Sequence, residues 1–205
     1  MAYETREISV GFSEDRVPAG THICYLFGDD DERHDVLARY FAAGRRAHER
    51  MLLLVDSEPP AEAADQLTAR GVAPAADFAT RAARDYYFDD GTFADRLMLE
   101  RIRSFFEESL SQGYAGARGA GDMSWALYEM AGVERVMEYE ARLTQQLTRY
   151  PTTCVCQYDV RLFGGAALMD VLSVHPYTLL RGQMIKNPFF IEPAQFLERC
   201  RAARS

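Results

Sequence analysis

Lysine is all but missing from this chain: Lys186 is the only one in 205 residues. A phosphate-binding loop needs glycines, free backbone N–H groups and a lysine. After the first apolar strand, roughly 22–27, the place of such a loop reads Gly28-Asp29-Asp30-Asp31-Glu32, one glycine and four carboxylates. That charge repels a triphosphate and argues against phosphoryl transfer. Positive charge is sparse overall: the net charge is -8 and the arginines are scattered, so no direct nucleic-acid contact is expected. The four cysteines contain no CxxC pair, which removes the usual support for a redox motif or a zinc ribbon. No apolar run approaches the roughly 20 residues that span a bilayer, and Met1 to Arg6 has no apolar signal core. A cytoplasmic location, no membrane partner and reduced thiols are the expectations.

What is present alternates strand and helix. The pattern predicts an α/β fold, a mostly parallel sheet with helices on both faces, in one domain over 1–205. Strands are predicted at about 22–27, 51–55, 79–88, 114–119, 152–158 and 177–185. Helices are predicted at about 31–48, from Pro59-Pro60 to Gly71, and at 93–112, 132–149, 160–174 and beyond Pro193. Asp89-Asp90-Gly91 reads as a turn. The run Met51 to Val55 is apolar throughout, as a central strand buried on both faces should be. On the helix at 132–149, the charged residues Glu134, Arg135, Glu138, Glu140 and Arg142 read as a solvated face, and His34 and His48 as solvated histidines.

In open α/β sheets a ligand sits outside the carboxyl ends of the strands. That rule selects Asp56 and Glu58 after the second strand and Asp122, Ser124 and Trp125 after the glycine-rich strand. It also selects Gln157, Tyr158 and Asp159 after the cysteine strand. One tryptophan, a tyrosine and several acids suit a small, partly apolar ligand and do not suit a phosphate. The plainer alternative is that Asp122 or Ser124 caps the next helix and Trp125 is core. His22 and Cys24 share one strand face, as do Cys154 and Cys156 on theirs. Were those strands neighbours with matching faces, four N/S ligands would converge on a soft metal. Buried free cysteines acting as small hydrophobes are the plain alternative, and no metal or other cofactor is assigned from spacing alone. A cysteine beside His22 or His175 is a candidate nucleophile. His175-Pro176 otherwise reads as a helix stop.

The chain resembles the MEDS family (methanogen/methylotroph, DcmR sensory domain). The matching stretches are His22-Ile23-Cys24, Val55-Asp56-Ser57-Glu58-Pro59-Pro60, Tyr87 to Phe93, and Gly121-Asp122-Met123-Ser124-Trp125-Ala126. Glu138-Tyr139-Glu140 with Leu143, Cys156-Gln157-Tyr158-Asp159, His175-Pro176 and Asn187-Pro188-Phe189-Phe190 complete the series, in order over about 15–198. The resemblance implies a RecA/KaiC-like fold without a working phosphate loop and a sensory role toward small hydrocarbon-derived molecules. His22, Cys24, Asp122, Trp125, Tyr158 and His175 lie within the matching motifs. Without a DNA-binding or kinase segment, the expectation is a stand-alone sensor that signals to a separate regulatory protein, with a homo-oligomer possible in principle. The alternatives are an ATPase-derived protein-interaction module without a small ligand, and an enzyme with a cysteine nucleophile.

Overall fold

The computed structural model describes residues 6–204. A short antiparallel ribbon, β1 (Glu7–Ser9) and β2 (Arg16–Pro18), precedes the main sheet. The sheet strands are β3 (His22–Phe27), β4 (Glu49–Val55), β5 (Phe78–Ala82), β8 (Gly116–Asp122), β9 (Thr152–Asp159), β10 (Tyr177–Leu180) and β11 (Gln183–Lys186). Their order across the sheet is β11-β10-β3-β9-β8-β4-β5, parallel except for β11, which runs antiparallel to β10. A small hairpin, β6 (Phe88–Asp89) and β7 (Thr92–Phe93), lies outside it. The helices are α1 (Asp30–Arg46), α2 (Pro60–Ala69), α3 (Ala83–Tyr87), α4 (Asp95–Ser111), α5 (Val136–Leu147), α6 (Gly165–Val174) and α7 (Pro193–Ala202).

Central strands β3 and β9 are buried at every position, because helices cover both sheet faces. The period of two along each strand divides the core. Ile23, Tyr25, Phe27, Met51, Leu53, Val55 and Val155 pack under α1 and α2 with Val36, Leu37, Tyr40, Phe41 and Leu67. Cys24, Leu26, Leu52, Leu54, Cys154, Cys156 and Tyr158 pack on the other side against Met98, Ile102, Tyr139, Leu143, Leu147 and Val171 of α4, α5 and α6.

Several boundaries differ from the sequence expectation, each for a local reason. The strand expected at 79–88 ends at Ala82, and the chain turns into α3. Helical spacing there brings Ala83 and Tyr87, four apart, to the core together. The strand expected at 177–185 is a hairpin closed by Arg181 and Gly182 at φ 49 and 72. Arginine is an unusual residue for a left-handed backbone, so Gly182 alone signals the turn in the sequence. The helix expected from 160 starts at Gly165, and the one expected from 132 opens with a 3₁₀ turn, Val133–Arg135. His34 is buried rather than solvated, and so are Glu138 and Glu140 of α5.

Candidate functional site

The strand ends form a closed polar network. The buried Asp122 carboxylate accepts from the backbone N–H of Asp56 (3.2 Å), Ser57 (2.8 Å) and Ser124 (3.0 Å), and from the hydroxyls of Ser57 and Ser124. Arg33 Nη1 lies 3.5 Å away. Arg33 also pairs with Glu58, whose Oε1 meets His34 Nε2 at 2.9 Å. Asp56 accepts from the Tyr128 hydroxyl and pairs with Arg84, and Asp159 is held by Arg161, which also reaches Asp30. Burial alone would raise the Asp122 carboxyl, but the bonds from Ser57 and Ser124 outweigh it and hold it below the ordinary range. Asp159 is likewise lowered, chiefly by its bond from Arg161. Asp29 caps α1 by accepting from Glu32 N–H at 2.8 Å. The backbone donors that a phosphate would use at these two turns are therefore taken by carboxylates of the chain itself.

A second group of polar residues lies on the inner sheet face under α5. β3 and β9 are neighbours, in a register that pairs His22 with Cys154 and Cys24 with Cys156. The four side chains share a face, yet they do not meet at one point. Cys24 Sγ turns to Thr178 (3.5 Å), and Cys154 Sγ to the Thr152 carbonyl (3.5 Å). His22 Nε2 instead lies 3.2 Å from Cys156 Sγ and 3.2 Å from Glu140 Oε2 of α5. His175, at the end of α6, brings its Nε2 to 3.5 Å from the same oxygen, and Cys156 Sγ is 3.7 Å from it. His22, Glu140, Cys156 and His175 are all buried, with ligand-type atoms within 4.8 Å of one another. Asn187 fixes the last position by donating to the carbonyls of Leu172 and His175.

The hydrogen bonds assign the tautomers. His175 Nδ1–H donates to the Val171 carbonyl at 2.8 Å. His22 Nδ1–H donates to Thr144 Oγ1 at 2.8 Å, because the single Thr144 hydroxyl proton goes to a backbone carbonyl, Glu140 or Val174. Both Nε2 atoms therefore present lone pairs to Glu140. Burial lowers both histidines to about 3, helped at His175 by its neighbour His22. The same burial raises Glu140, holds Cys156 well above its ordinary value and pushes Cys24 up to about 12. A raised thiol runs opposite to the activation that a cysteine nucleophile needs.

Glu140 is the residue that sequence reasoning misplaced. The signal was there: it stands four after Val136, three before Leu143 and seven before Leu147, all buried, which puts it on the apolar stripe of α5.

An apolar cavity of about 50 Å³ adjoins this cluster. Gly119 and Gly121 form its floor, with Leu52, Leu54, Cys154 and Cys156 beside them and Tyr87, Met98, Ile102, Tyr139 and Leu143 above. Glycine is required at the second floor position: a Cβ on Gly121 would lie 2.8 Å from the Tyr87 hydroxyl, whereas one on Gly119 would make ordinary contact, 3.6 Å from the Leu52 carbonyl oxygen. Two lining groups, the Tyr139 hydroxyl and Thr152 Oγ1, are buried without a hydrogen-bond partner of normal geometry.

The sequence-derived candidates thus divide. Asp56, Glu58, Asp122, Ser124 and Asp159 join the strand-end network. His22, His175 and Tyr158 meet on the inner face, with Tyr158 edge-on to His175 at 5.8 Å and Cys24 on the neighbouring strand position. Trp125 is fully buried, stacked on Tyr87 at 4.3 Å. Gln157 lies on the opposite sheet face, buried, its amide unpartnered.

Residues 21–176 match the family described as "MEDS: MEthanogen/methylotroph, DcmR Sensory domain". The transcriptional repressor DcmR of Methylorubrum extorquens is 35% identical over 82 residues, which is 40% of this chain and 31% of the repressor. The chain thus matches less than a third of that relative's length. Among solved structures, the KaiC-like protein PH0186 of Pyrococcus horikoshii superposes with a TM-score of 0.61 over 85% of this chain and 80% of that one, at 12% identity. That likeness establishes the RecA/KaiC-like fold. No helix among the described residues is long and apolar enough to cross a membrane.

Proposed function

The chain belongs to the MEDS family of sensory domains, and from that premise we propose that it senses a small, largely apolar organic molecule held over Gly119 and Gly121. The carrying observation is the cavity itself: an apolar pocket between the sheet and α4 and α5, with a glycine floor and two hydroxyls without partners of normal geometry. Its volume sets the ligand size. An apolar cavity that accepts benzene is near 150 Å³, so about 50 Å³, a third of that, admits roughly two heavy atoms. The hydroxyls of Tyr139 and Thr152 would serve one polar end of such a molecule. In this reading the strand-end carboxylates hold the loops and do not meet the ligand.

A ligand moves an equilibrium only through its different affinity for two states. Filling the chamber loads the α4 and α5 side of the core and the Tyr87–Trp125 stack, which is the route by which occupancy would reach a separate regulatory protein. Exposed Leu162, Met169, Ile185 and Phe189, on and around α6 and the β10–β11 hairpin, are apolar enough to meet such a partner. They equally favour the second reading, an interaction module with no small ligand.

The chain's single tryptophan gives the test. Short-chain organic compounds of graded size are titrated while Trp125 fluorescence and thermal stability are followed. Saturable changes in the wild type that vanish in Gly119→Ala support sensing. No change with any compound, or the same change in Gly119→Ala, turns the weight to the interaction module.

A further inference from the structure

We propose that His22, Glu140, Cys156 and His175 form a four-ligand site for a divalent transition cation of the zinc type. The inference is independent of the sensory reading, since it concerns neighbouring atoms and a different ligand.

Spacing is the first argument. Tetrahedral zinc, with bonds of about 2.0–2.3 Å, keeps its ligand atoms roughly 3.3–3.8 Å apart. Four of the six pairs here lie at 3.2, 3.2, 3.5 and 3.7 Å, and all six within 4.8 Å. Orientation is the second. Each imidazole gives its Nδ1–H away, to Thr144 or to the Val171 carbonyl, which is how the outer partners of a metal-bound histidine fix the ring and free the other nitrogen. The consequence is that two Nε2 lone pairs face a carboxylate oxygen, with the Cys156 thiol a donor shared between His22 and Glu140. His175 Nε2 and Glu140 Oε1 are buried without a hydrogen-bond partner. A cation at the centre would satisfy both nitrogens and the carboxylate at once.

Charge is the third argument. A thiolate, a carboxylate and two neutral imidazoles carry two negative charges, so a divalent ion leaves a neutral buried centre. Binding releases the thiol proton of Cys156 and whatever proton Glu140 holds to solvent. Nitrogen, sulfur and a single oxygen select zinc, cobalt or a similar ion over calcium or magnesium. Four protein ligands close the coordination, as structural sites do. The ion would join β3, β9, α5 and the end of α6. Cys156 also lines the apolar cavity, so the ion would hold one wall of it in place.

Because the ligands are buried, loading is tested during synthesis of the full chain, in cells supplied with cobalt(II). The expected product carries one cobalt per chain by elemental analysis and shows a sulfur-to-cobalt charge-transfer band. Cys156→Ser loses that band, while Cys24→Ser and Cys154→Ser keep it. Glu140→Gln, which preserves side-chain shape, is expected to give up its metal to a chelator at least ~10-fold faster than the wild type. A wild-type protein that is folded by circular dichroism, whether made with cobalt or zinc, and carries only traces of either metal overturns the proposal. So does a band that survives Cys156→Ser or disappears in Cys24→Ser.

Discussion

The strand ends and the inner sheet face hold the same kinds of residue, buried acids beside basic side chains, and treat them in opposite ways. At the strand ends Asp122 is met by backbone N–H groups, hydroxyls and Arg33, so every direction it faces is answered by a donor. Under α5, Glu140 is met by two histidine lone pairs and a thiol, and one of its oxygens by nothing. A satisfied buried network stabilises the fold it belongs to. An unsatisfied one costs stability and persists where something else completes it. By that criterion the strand-end network is satisfied as it stands, whereas the cluster beneath α5 is the one that a bound ligand would complete.

The sharpest way to break the comparison is to delete both acids. Asp122→Ala leaves the donors of Ser57 and Ser124 unanswered and takes one of two carboxylates from Arg33, which keeps Glu58, and a loss of about 2–4 kcal/mol is expected in urea denaturation, with or without metal. Zinc should contribute next: at about 1,000 times its Kd a bound ion stabilises by about 4 kcal/mol, so unfolding free energies before and after chelation should differ by that amount in the wild type and coincide in Cys156→Ser.

Acid provides the third contrast. Asp122 titrates below its ordinary 3.8 in the folded protein. Its stabilisation is therefore fully present above pH 3.8 and is lost as pH falls through the lowered value. Asp122→Asn should flatten that acid limb, whereas an unchanged limb would place the charge elsewhere. Glu140→Gln in metal-free protein should act in the other sense, neutral or stabilising by about 1 kcal/mol, because it removes a fully buried carboxylate whose Oε1 has no partner and whose Oε2 meets only a weak thiol donor and two lone pairs. Gly119→Ala should be the mildest, within about 1 kcal/mol, since its Cβ meets only an ordinary contact. It should nonetheless abolish ligand-induced fluorescence change.

The α/β class and the mostly parallel sheet were legible in the residues, because they rest on strand–helix alternation. The acids of 28–32 prove to cap α1 and to pair with arginines: Asp30 with Arg161 and Asp31 with Arg70. The shared face of His22 with Cys24, and of Cys154 with Cys156, followed from the period of two. What the period could not give was the neighbour across the interface. Strand order put His22 beside β9, and the rotation of α5 selected Glu140, so the cluster that formed kept His22 and Cys156 and exchanged the other two cysteines for Glu140 and His175. The cavity was illegible for a similar reason. Gly119 and Gly121 read as a strand end, and only their position opposite Tyr87 and Tyr139 makes them a floor.

The most direct test is the crystal structure of the chain with the first small organic molecule that changes Trp125 fluorescence. The account predicts density over Gly119 and Gly121, between Leu52 and Cys156 and within reach of the Tyr139 or Thr152 hydroxyl. Density among Asp56, Glu58 and Asp122 at the strand ends, with the inner chamber unaltered, would contradict it.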